Sequence, residues 1–358
     1  AHHSIGVWEI LKQRKLILLL LLLIGVKGVY CITVPYSQSY TDEIYYTYMT
    51  RLAGPMDVDK QNYIDSEIER INDTIAAYDS QMRACVEGDI SEKAFQSYFS
   101  EYQKALASSD VVLRVRDHAQ YLMNLKVEHQ LEGHFLYDTG IIDYVCRDFD
   151  GLLYFGILLL CCQMFYSEYH MKTSSHSFLL ILRSTKMGRK AILRAKFRLG
   201  MVVSAILLVI TETMMYLYVF SLHGTADLSV PLCSLEQFGG SFKDMSIQSY
   251  LVLVLLVKAM AAVMLSYIGI VLSLLLKGGI WAYAATMSLT LLPRVLTCFH
   301  IDIFQYVDYC SFLSADGMFR DSSFLNGDFP FFYAAVFIAF MFCTVACAGK
   351  FAKDKYCR

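Results

Sequence analysis

The sequence predicts an all-α integral membrane protein with six transmembrane helices. A large extracytoplasmic helical hairpin domain is predicted between the first and second spans. Of the 358 residues, 56% are hydrophobic and only 18% are charged, which leaves too little polar surface for a soluble domain of this length. Six apolar stretches approach the length that a bilayer core of about 30 Å requires. Only five prolines occur, which suits long helices.

Each predicted span is bounded by residues that end or interrupt an apolar helix. Pro35 closes the first span, which begins after a basic start. The second span is short, and interfacial aromatic residues extend it at either end. A Lys277-Gly278-Gly279 turn separates the fourth span from the fifth. The predicted spans cover residues 16–34, 151–166, 199–222, 250–276, 280–298 and 331–349.

The charges of the loops predict the side of the membrane on which each loop lies. Residues 167–198 carry eight Lys and Arg against one acid, and the tail after residue 349 carries four bases against one acid. Residues 37–150 instead hold 21 acids and 10 bases. Because cytoplasmic loops are enriched in Lys and Arg, both termini, residues 167–198 and the Lys277 turn are predicted to be cytoplasmic. We expect a multi-pass protein of a bacterial plasma membrane.

The predicted outer domain, residues 37–150, separates residues 1–36, with the first span, from residues 151–358, with the other five. Apolar residues at alternating spacings of four and three predict a coiled-coil-like helix through Ile64, Ile68, Ile71, Ile75, Tyr78 and Met82. Gly88 breaks this pattern, and Asp89-Ile90-Ser91-Glu92 has capping-box spacing for a new helix. The second helix would place Phe95, Phe99, Tyr102 and Leu106 on one face, followed by Val112, Val115, Ala119 and Leu122. An antiparallel hairpin is therefore expected.

Two roles remain open for this outer domain. It either holds the first two spans apart as a structural cap, or it forms a lid that gates substrate or docks a partner. A further outer loop, residues 299–330, is rich in aromatic residues and is expected to form short interfacial helices.

The segment between the second and third spans, residues 167–198, combines an amphipathic stretch with a basic cluster. Ser184 and Thr185 can cap the helix that follows, and Gly188 allows a sharp turn. The basic residues are expected at the level of the lipid headgroups of the inner leaflet.

This segment resembles the permeases of ABC-2 type transporters, the transmembrane subunits of bacterial ABC exporters. In that family an aromatic residue and Glu precede a hydrophobic helix, and Ser-Thr-x-x-Gly-Arg and a Lys entering the third span follow. The matching residues are Glu168, Ser184, Thr185, Gly188, Arg189 and Lys196. The resemblance extends to the overall plan of an interfacial helix at residues 5–11, a helical outer domain and six spans. Lys172 departs from it, since the family often has Gly at that position.

The resemblance implies that residues 167–198 couple the membrane spans to a separate ATPase subunit. Lys172 and Arg183 complete the expected ATPase-coupling set. Glu168 and Arg189 would form ion pairs with each other or with the ATPase. A second permease subunit, identical or related, is also implied, and ATP and Mg²⁺ would be bound by the partner ATPase. For the other bases of the segment, contact with lipid headgroups is the simpler interpretation.

Motifs of other functional classes are missing from the sequence. No Walker A phosphate loop occurs, so we do not expect this chain to hydrolyse ATP by that route. No HExxH motif occurs, and His129-x-x-Glu132-x-His134 lacks the spacing of a zinc site. We expect no catalytic residue, no metal site and no nucleic-acid partner.

Three basic residues at membrane depth need an explanation, because each costs at least about 2.5 kcal/mol at the centre of a helix. Lys27 is placed to snorkel outward, and Arg294, next to Pro293, is placed to reach the interface. Lys258 either snorkels or lines a path for an anionic or peptide substrate. All three are candidates for a substrate path, and no acid is expected beside them inside a span.

Two functions from different classes follow from these features. The first is the permease subunit of an ATP-driven exporter of a peptide, an antimicrobial or a lipid-like amphiphile, a substrate class that rests on the resemblance alone. The second is a non-transporting membrane sensor or immunity protein that captures a peptide with its outer domain. A membrane enzyme is disfavoured because its chemistry would need groups that these spans do not provide.

Overall fold

The computed structural model describes residues 14–33, 40–137, 151–163, 186–224, 226–238, 245–276 and 279–299, together with residues 339, 343 and 346. The described chain is mostly helical, as the sequence predicts. It divides into two compact units. The apolar unit comprises residues 1–34, 140–224 and 251–358, and the hairpin unit combines residues 35–139 with residues 225–250.

The described elements follow one another with few strands between the helices. The α-helices are α1 (Arg14–Thr33), α2 (Tyr40–Leu52), α3 (Val58–Ala76), α4 (Tyr78–Glu87), α5 (Glu92–His129), α6 (Gly151–Gln163), α7 (Lys186–His223), α8 (Ile247–Leu276) and α9 (Gly279–Cys298). The strands β1 (Gly54–Pro55) and β2 (His134–Phe135) pair antiparallel, with Gly54 opposite Phe135. Short 3-10 helices cover Ala226–Ser229, Leu232–Ser234 and Glu236–Phe238.

The hairpin unit is built on α3 and α5, which form the hairpin that the apolar seam predicts. Ile64 of α3 belongs to one buried cluster with Val115 and Leu122 of α5, whereas Ile71 belongs to another with Ala105 and Val112. Later residues of α3 therefore pack against earlier residues of α5. The two helices are antiparallel, and their aliphatic seam is buried between them.

Local capping residues define where the hairpin helices begin and end. The Asp57 side chain accepts a hydrogen bond from the backbone N–H of Lys60 at 2.8 Å and caps α3. Gly88 ends α4 with a φ of 84°, a left-handed conformation that glycine adopts without strain. Ser91 caps α5 by accepting a hydrogen bond from the N–H of Ala94 at 3.3 Å. The predicted new helix is present, but its cap is Ser91 and not Asp89.

The predicted seam is interrupted before it reaches the tip of the hairpin. α3 ends at Ala76 and α4 begins at Tyr78, so residues 64–82 do not form one continuous helix. Ile64 and Ile71 are 2% exposed, whereas Met82 is 47% exposed. At the tip, aromatic rings replace aliphatic packing, and the Tyr78 and Tyr102 ring centroids stack at 4.2 Å.

Residues 225–250 pack onto the hairpin and complete its core. Cys233 is fully buried in the same cluster as Leu52 and Phe135. The Tyr121 hydroxyl donates a hydrogen bond to the Cys233 carbonyl oxygen at 2.7 Å, and the His134 backbone N–H donates to Ser234 Oγ at 3.0 Å. A segment that the sequence presents only as the connection between two spans is therefore an integral part of the hairpin unit.

α7 and α8 of the apolar unit are long and apolar enough to cross a membrane, by length and composition. Their apolar stretches are Leu193–Leu222, with a mean hydropathy of 1.9, and Ile247–Leu276, with a mean hydropathy of 2.4. α1 coincides with the first predicted span, and α6 and α9 carry shorter apolar stretches. The interfacial helix at residues 5–11 and residues 300–330 lie outside the described residues, as does the sixth predicted span apart from three helical positions.

α6 contacts α1, α7 and α9, and its side chains are largely buried. Ser273 Oγ of α8 donates a hydrogen bond to the Cys162 carbonyl oxygen at 2.6 Å, and the Tyr154 hydroxyl bonds to that of Thr290 on α9. A Cβ added to Gly269 of α8 would lie 3.3 Å from Cys162 Sγ, so α6 and α8 approach closely there. Small residues and interhelical hydrogen bonds are the means by which helices associate in lipid.

Candidate functional site

The candidate site of the apolar unit is a buried ion pair between α7 and α8. Lys258 Nζ donates a hydrogen bond to Glu212 Oε1 at 2.9 Å. The Lys258 side chain is 0% exposed and the Glu212 side chain 5% exposed. Both side chains are therefore withdrawn from solvent, within the apolar stretches Leu193–Leu222 and Ile247–Leu276.

The antiparallel register of α7 and α8 brings these two residues together. Glu212 lies eleven residues before His223, the last residue of α7, and Lys258 lies eleven residues after Ile247, the first residue of α8. Gly200 lies twelve residues before Glu212, and Ile270 lies twelve residues after Lys258. A Cβ on Gly200 would meet the Ile270 side chain, which confirms the antiparallel register. At 1.5 Å per residue the pair is about 16 Å from those helix ends, close to half of a 30 Å core.

The energetics of this pair do not favour a purely structural role. In helices that cross a membrane, each such charge would cost at least about 2.5 kcal/mol near the helix centre. A buried ion pair often contributes no more stability than hydrophobic residues of similar volume, whereas removing one partner costs about 3–5 kcal/mol. Ionisable residues at membrane depth commonly mark paths for ions or substrates. Lys258 and Glu212 are therefore the strongest candidates for function in the apolar unit.

A second buried cation lies on α1, which packs against α7. Lys27 is only 4% exposed, and its Nζ lies 5.7 Å from the ring centroid of Tyr30. A Cβ on the neighbouring Gly28 would be 3.3 Å from Met214 Cε, two residues beyond Glu212. The helix next to the one that carries the carboxylate thus also holds a buried positive charge.

The three bases predicted at membrane depth have different environments. Lys258 bonds to Glu212 and does not snorkel, so that interpretation of Lys258 is wrong. Lys27 is buried, with the Tyr30 ring one turn closer to the end of α1. Arg294 is exposed on α9, one residue after Pro293. The role of these residues in a substrate path stays a prediction.

Glu212 belongs to the candidate site, but it is not among the residues predicted from the sequence. The expectation that no acid accompanies the bases inside a span is wrong, because Glu212 lies within the predicted third span. The polar triplet Thr211-Glu212-Thr213 interrupts an otherwise apolar stretch and was the available signal. Its distance from the connection to α8 matches that of Lys258, a pattern that predicts a pair between antiparallel helices.

Most of the predicted ATPase-coupling residues lie outside the described residues, namely Glu168, Lys172, Arg183, Ser184 and Thr185. Gly188 and Arg189 lie within the first turns of α7, so the sharp turn expected at Gly188 is wrong. Lys196 is half-buried on the same helix. With 38 residues, α7 is about 57 Å long, which exceeds the thickness of about 30 Å of a bilayer core.

The hairpin unit has its own polar contact between α5 and residues 225–250. His118 Nδ1 lies 3.3 Å from Glu236 Oε1, and the His118 ring packs edge-on against Phe135. Burial lowers the pKa of His118, while the hydrogen bond to Glu236 opposes that change. Burial also raises the pKa of the neighbouring Tyr121 to about 12, so its hydroxyl stays protonated and donates to Cys233.

Metal ligation and likeness to known proteins give no further assignment. Within the described residues, no group of three or more His, Cys, Asp and Glu side chains is placed to hold a metal ion. Comparison with protein-family models, curated proteins and solved structures gives no match to this chain. Fold and site define a class: a mostly helical protein that has, among the residues the structure describes, two helices long and apolar enough to cross a membrane and a buried ion pair between them.

Proposed function

We propose that this chain is the permease subunit of an ATP-driven exporter, with a peptide, an antimicrobial or a lipid-like amphiphile as its substrate. The observation that carries the proposal is the buried Lys258–Glu212 pair, because paired charges at membrane depth are typical of transport paths. The resemblance of residues 167–198 to ABC-2 permeases supplies the second part, an ATPase subunit that acts in trans. A second permease subunit would complete the path.

In the proposed transporter, the ion pair would act as a gate that holds α7 and α8 together until the two charges find other partners. While the helices are together, Lys258 and Glu212 neutralise each other. Separating them leaves two charges in a medium of low dielectric constant, which costs several kcal/mol per ion unless new partners replace the lost one. Charged groups of an amphiphilic substrate can act as those partners. Closure of the ATPase subunits, transmitted through residues 167–198, would drive the separation.

Six spans with both termini in the cytoplasm are part of the same proposal. Its support is that α1, α6, α7, α8 and α9 coincide with the first five predicted spans. In addition, residues 35–139 and 225–250 belong to one compact unit, and both are outer segments in a six-span arrangement. Two segments that fold together must lie on the same side of a membrane, so the chain between them, which contains α6 and α7, would cross the membrane an even number of times, as the six-span arrangement requires.

The decisive experiment is purification of the full chain from its native membrane after mild cross-linking. We expect an ATPase subunit to co-purify, and its ATP turnover to fall at least about tenfold with Glu168→Gln or Arg189→Gln, the loss of about 1.4 kcal/mol of coupling. Lys93→Gln, an exposed base of α5, is the matched control and should leave turnover unchanged. Isolation of the chain without any nucleotidase would contradict the proposal.

A membrane sensor or immunity protein is the second candidate function, and the tip of the hairpin unit favours it. Phe99 is 36% exposed, Met82 47% and Val86 81%, so apolar side chains face solvent on α4 and α5. Such a surface suits capture of an amphiphilic peptide. Peptide binding by a chain that purifies without an ATPase, and that is lost with Phe99→Ser but kept with Lys93→Gln, would favour this function over transport.

A further inference from the structure

The N-terminal part of α7 presents two arginines to its surroundings next to an exposed apolar row. Arg194 and Arg198 are both exposed and lie four residues apart, so their side chains emerge from the same face of the helix, about 5–6 Å apart at Cβ. They stand at the beginning of the apolar stretch Leu193–Leu222. Two guanidinium groups at that spacing can both donate hydrogen bonds to one phosphate group.

The exposed row continues along the same side of α7. Val202, Ile206 and Val209 are 49%, 53% and 63% exposed, at spacings of four and three residues after Arg198. From Arg198 to Val209 the helix rises about 16 Å, at 1.5 Å per residue. That length is close to half of a 30 Å hydrocarbon core, the thickness of one leaflet.

We propose that this face of α7, defined by Arg194, Arg198, Val202, Ile206 and Val209, binds one anionic phospholipid of the adjacent leaflet. The lipid phosphate lies between the two guanidinium groups, and an acyl chain lies along the three aliphatic side chains. Charge complementarity selects an anionic headgroup, because a zwitterionic headgroup brings its own cation towards the arginines. The apolar row selects a lipid and not a free phosphate ion.

The inference depends on α7 being embedded in a bilayer and not on the transport proposal. If the chain proves to be a sensor, the lipid site is unaffected. If α7 does not enter a membrane, lipid binding fails whether or not an ATPase binds. The two proposals therefore fail by separate measurements.

The test is lipid binding to the purified full chain in a neutral detergent, followed by native mass spectrometry with phosphatidylglycerol and phosphatidylcholine. We expect a preference for phosphatidylglycerol, and an affinity about 30-fold lower in the double variant Arg194→Gln/Arg198→Gln. That loss corresponds to about 2 kcal/mol at 1.4 kcal/mol per tenfold, or about 1 kcal/mol for each base near an anionic surface. Soluble glycerol phosphate should not displace the lipid.

The control is Lys93→Gln/Lys104→Gln, which removes two exposed charges from α5 of the hairpin unit and should leave lipid binding unchanged. Arg194→Lys/Arg198→Lys keeps both charges without the planar fork and should retain part of the preference. The proposal would be overturned if the arginine and the lysine double variants to Gln lost equal lipid affinity. It would also be overturned if the unmodified chain showed no preference for phosphatidylglycerol. An unchanged melting temperature of each variant in detergent separates loss of the site from misfolding.

Discussion

Breaking the Lys258–Glu212 pair from one side should be far more damaging than removing it altogether. The variants that test this are Glu212→Leu, Lys258→Met and the double variant. Each single change leaves one uncompensated charge in a site where the side chains are 0% and 5% exposed. We expect each single variant to lose about 3–5 kcal/mol of the free energy of unfolding.

The double variant should recover most of that loss, because Leu and Met fill similar volume without any charge to desolvate. Replacement of a buried pair by hydrophobic residues is often neutral, or stabilising by about 1–4 kcal/mol. These variants form a double-mutant cycle, whose coupling energy is the difference between the loss in the double variant and the sum of the two single losses. This coupling energy should be at least as large as one single loss, and independent sites would add within roughly 0.5 kcal/mol. In the same variants the proposed exporter should lose substrate-stimulated ATP turnover even where stability is restored.

The assay is reversible unfolding of the full chain in bicelles, measured for the four members of the cycle. Leu256→Met serves as the control for Lys258→Met, since Leu256 lies two residues away on α8 and is 57% exposed. It should change the free energy of unfolding by less than about 0.5 kcal/mol. A double variant that loses the sum of the two single losses would refute the reasoning, because the two charges would then be energetically independent.

Further predictions concern packing, topology and pH. Gly269→Leu fills the close approach between α6 and α8 and should lower the free energy of unfolding by about 1–3 kcal/mol. Gly25→Leu is the control, because a Cβ at Gly25 would meet no atom within 4 Å, and it should leave the free energy of unfolding nearly unchanged. Asn72-Asp73-Thr74 is an N-glycosylation acceptor on an exposed part of α3, so translation with microsomes should add a glycan that Asn72→Gln abolishes. A wild-type chain without that glycan would argue against an outer hairpin unit. Because the pKa of His118 lies below its ordinary value of 6.5, the stability that neutral His118 confers is complete above that pH and declines as the pH falls below it. Melts from about pH 7.5 to about pH 5 should show a shallower acid loss for His118→Gln than for the unmodified chain, and identical slopes would contradict the assignment.

Local patterns were reliable where a single helix or its cap determines the outcome. The spacing of the isoleucines from Ile64 to Ile71 predicts the buried seam of α3, and Gly88 predicts the end of α4. Those features depend on neighbours within a few turns, which the sequence displays directly. The expectation failed at Gly188, because a glycine permits a turn without requiring one and α7 continues through it as a helix.

Composition and spacing along the chain are enough to predict that the protein is mostly helical, that it contains apolar helices of membrane length, and that a polar hairpin lies between its first two apolar segments. Hydrophobic periodicity and length are properties of consecutive residues, so they can be read without coordinates. Two features become visible only in the folded chain: the contact between Lys258 and Glu212, which are 46 positions apart, and the packing of Cys233 and its neighbours into the core of the hairpin unit. Both depend on which helix faces pack together, and that choice minimises unpaired charge and exposed apolar surface over the whole chain.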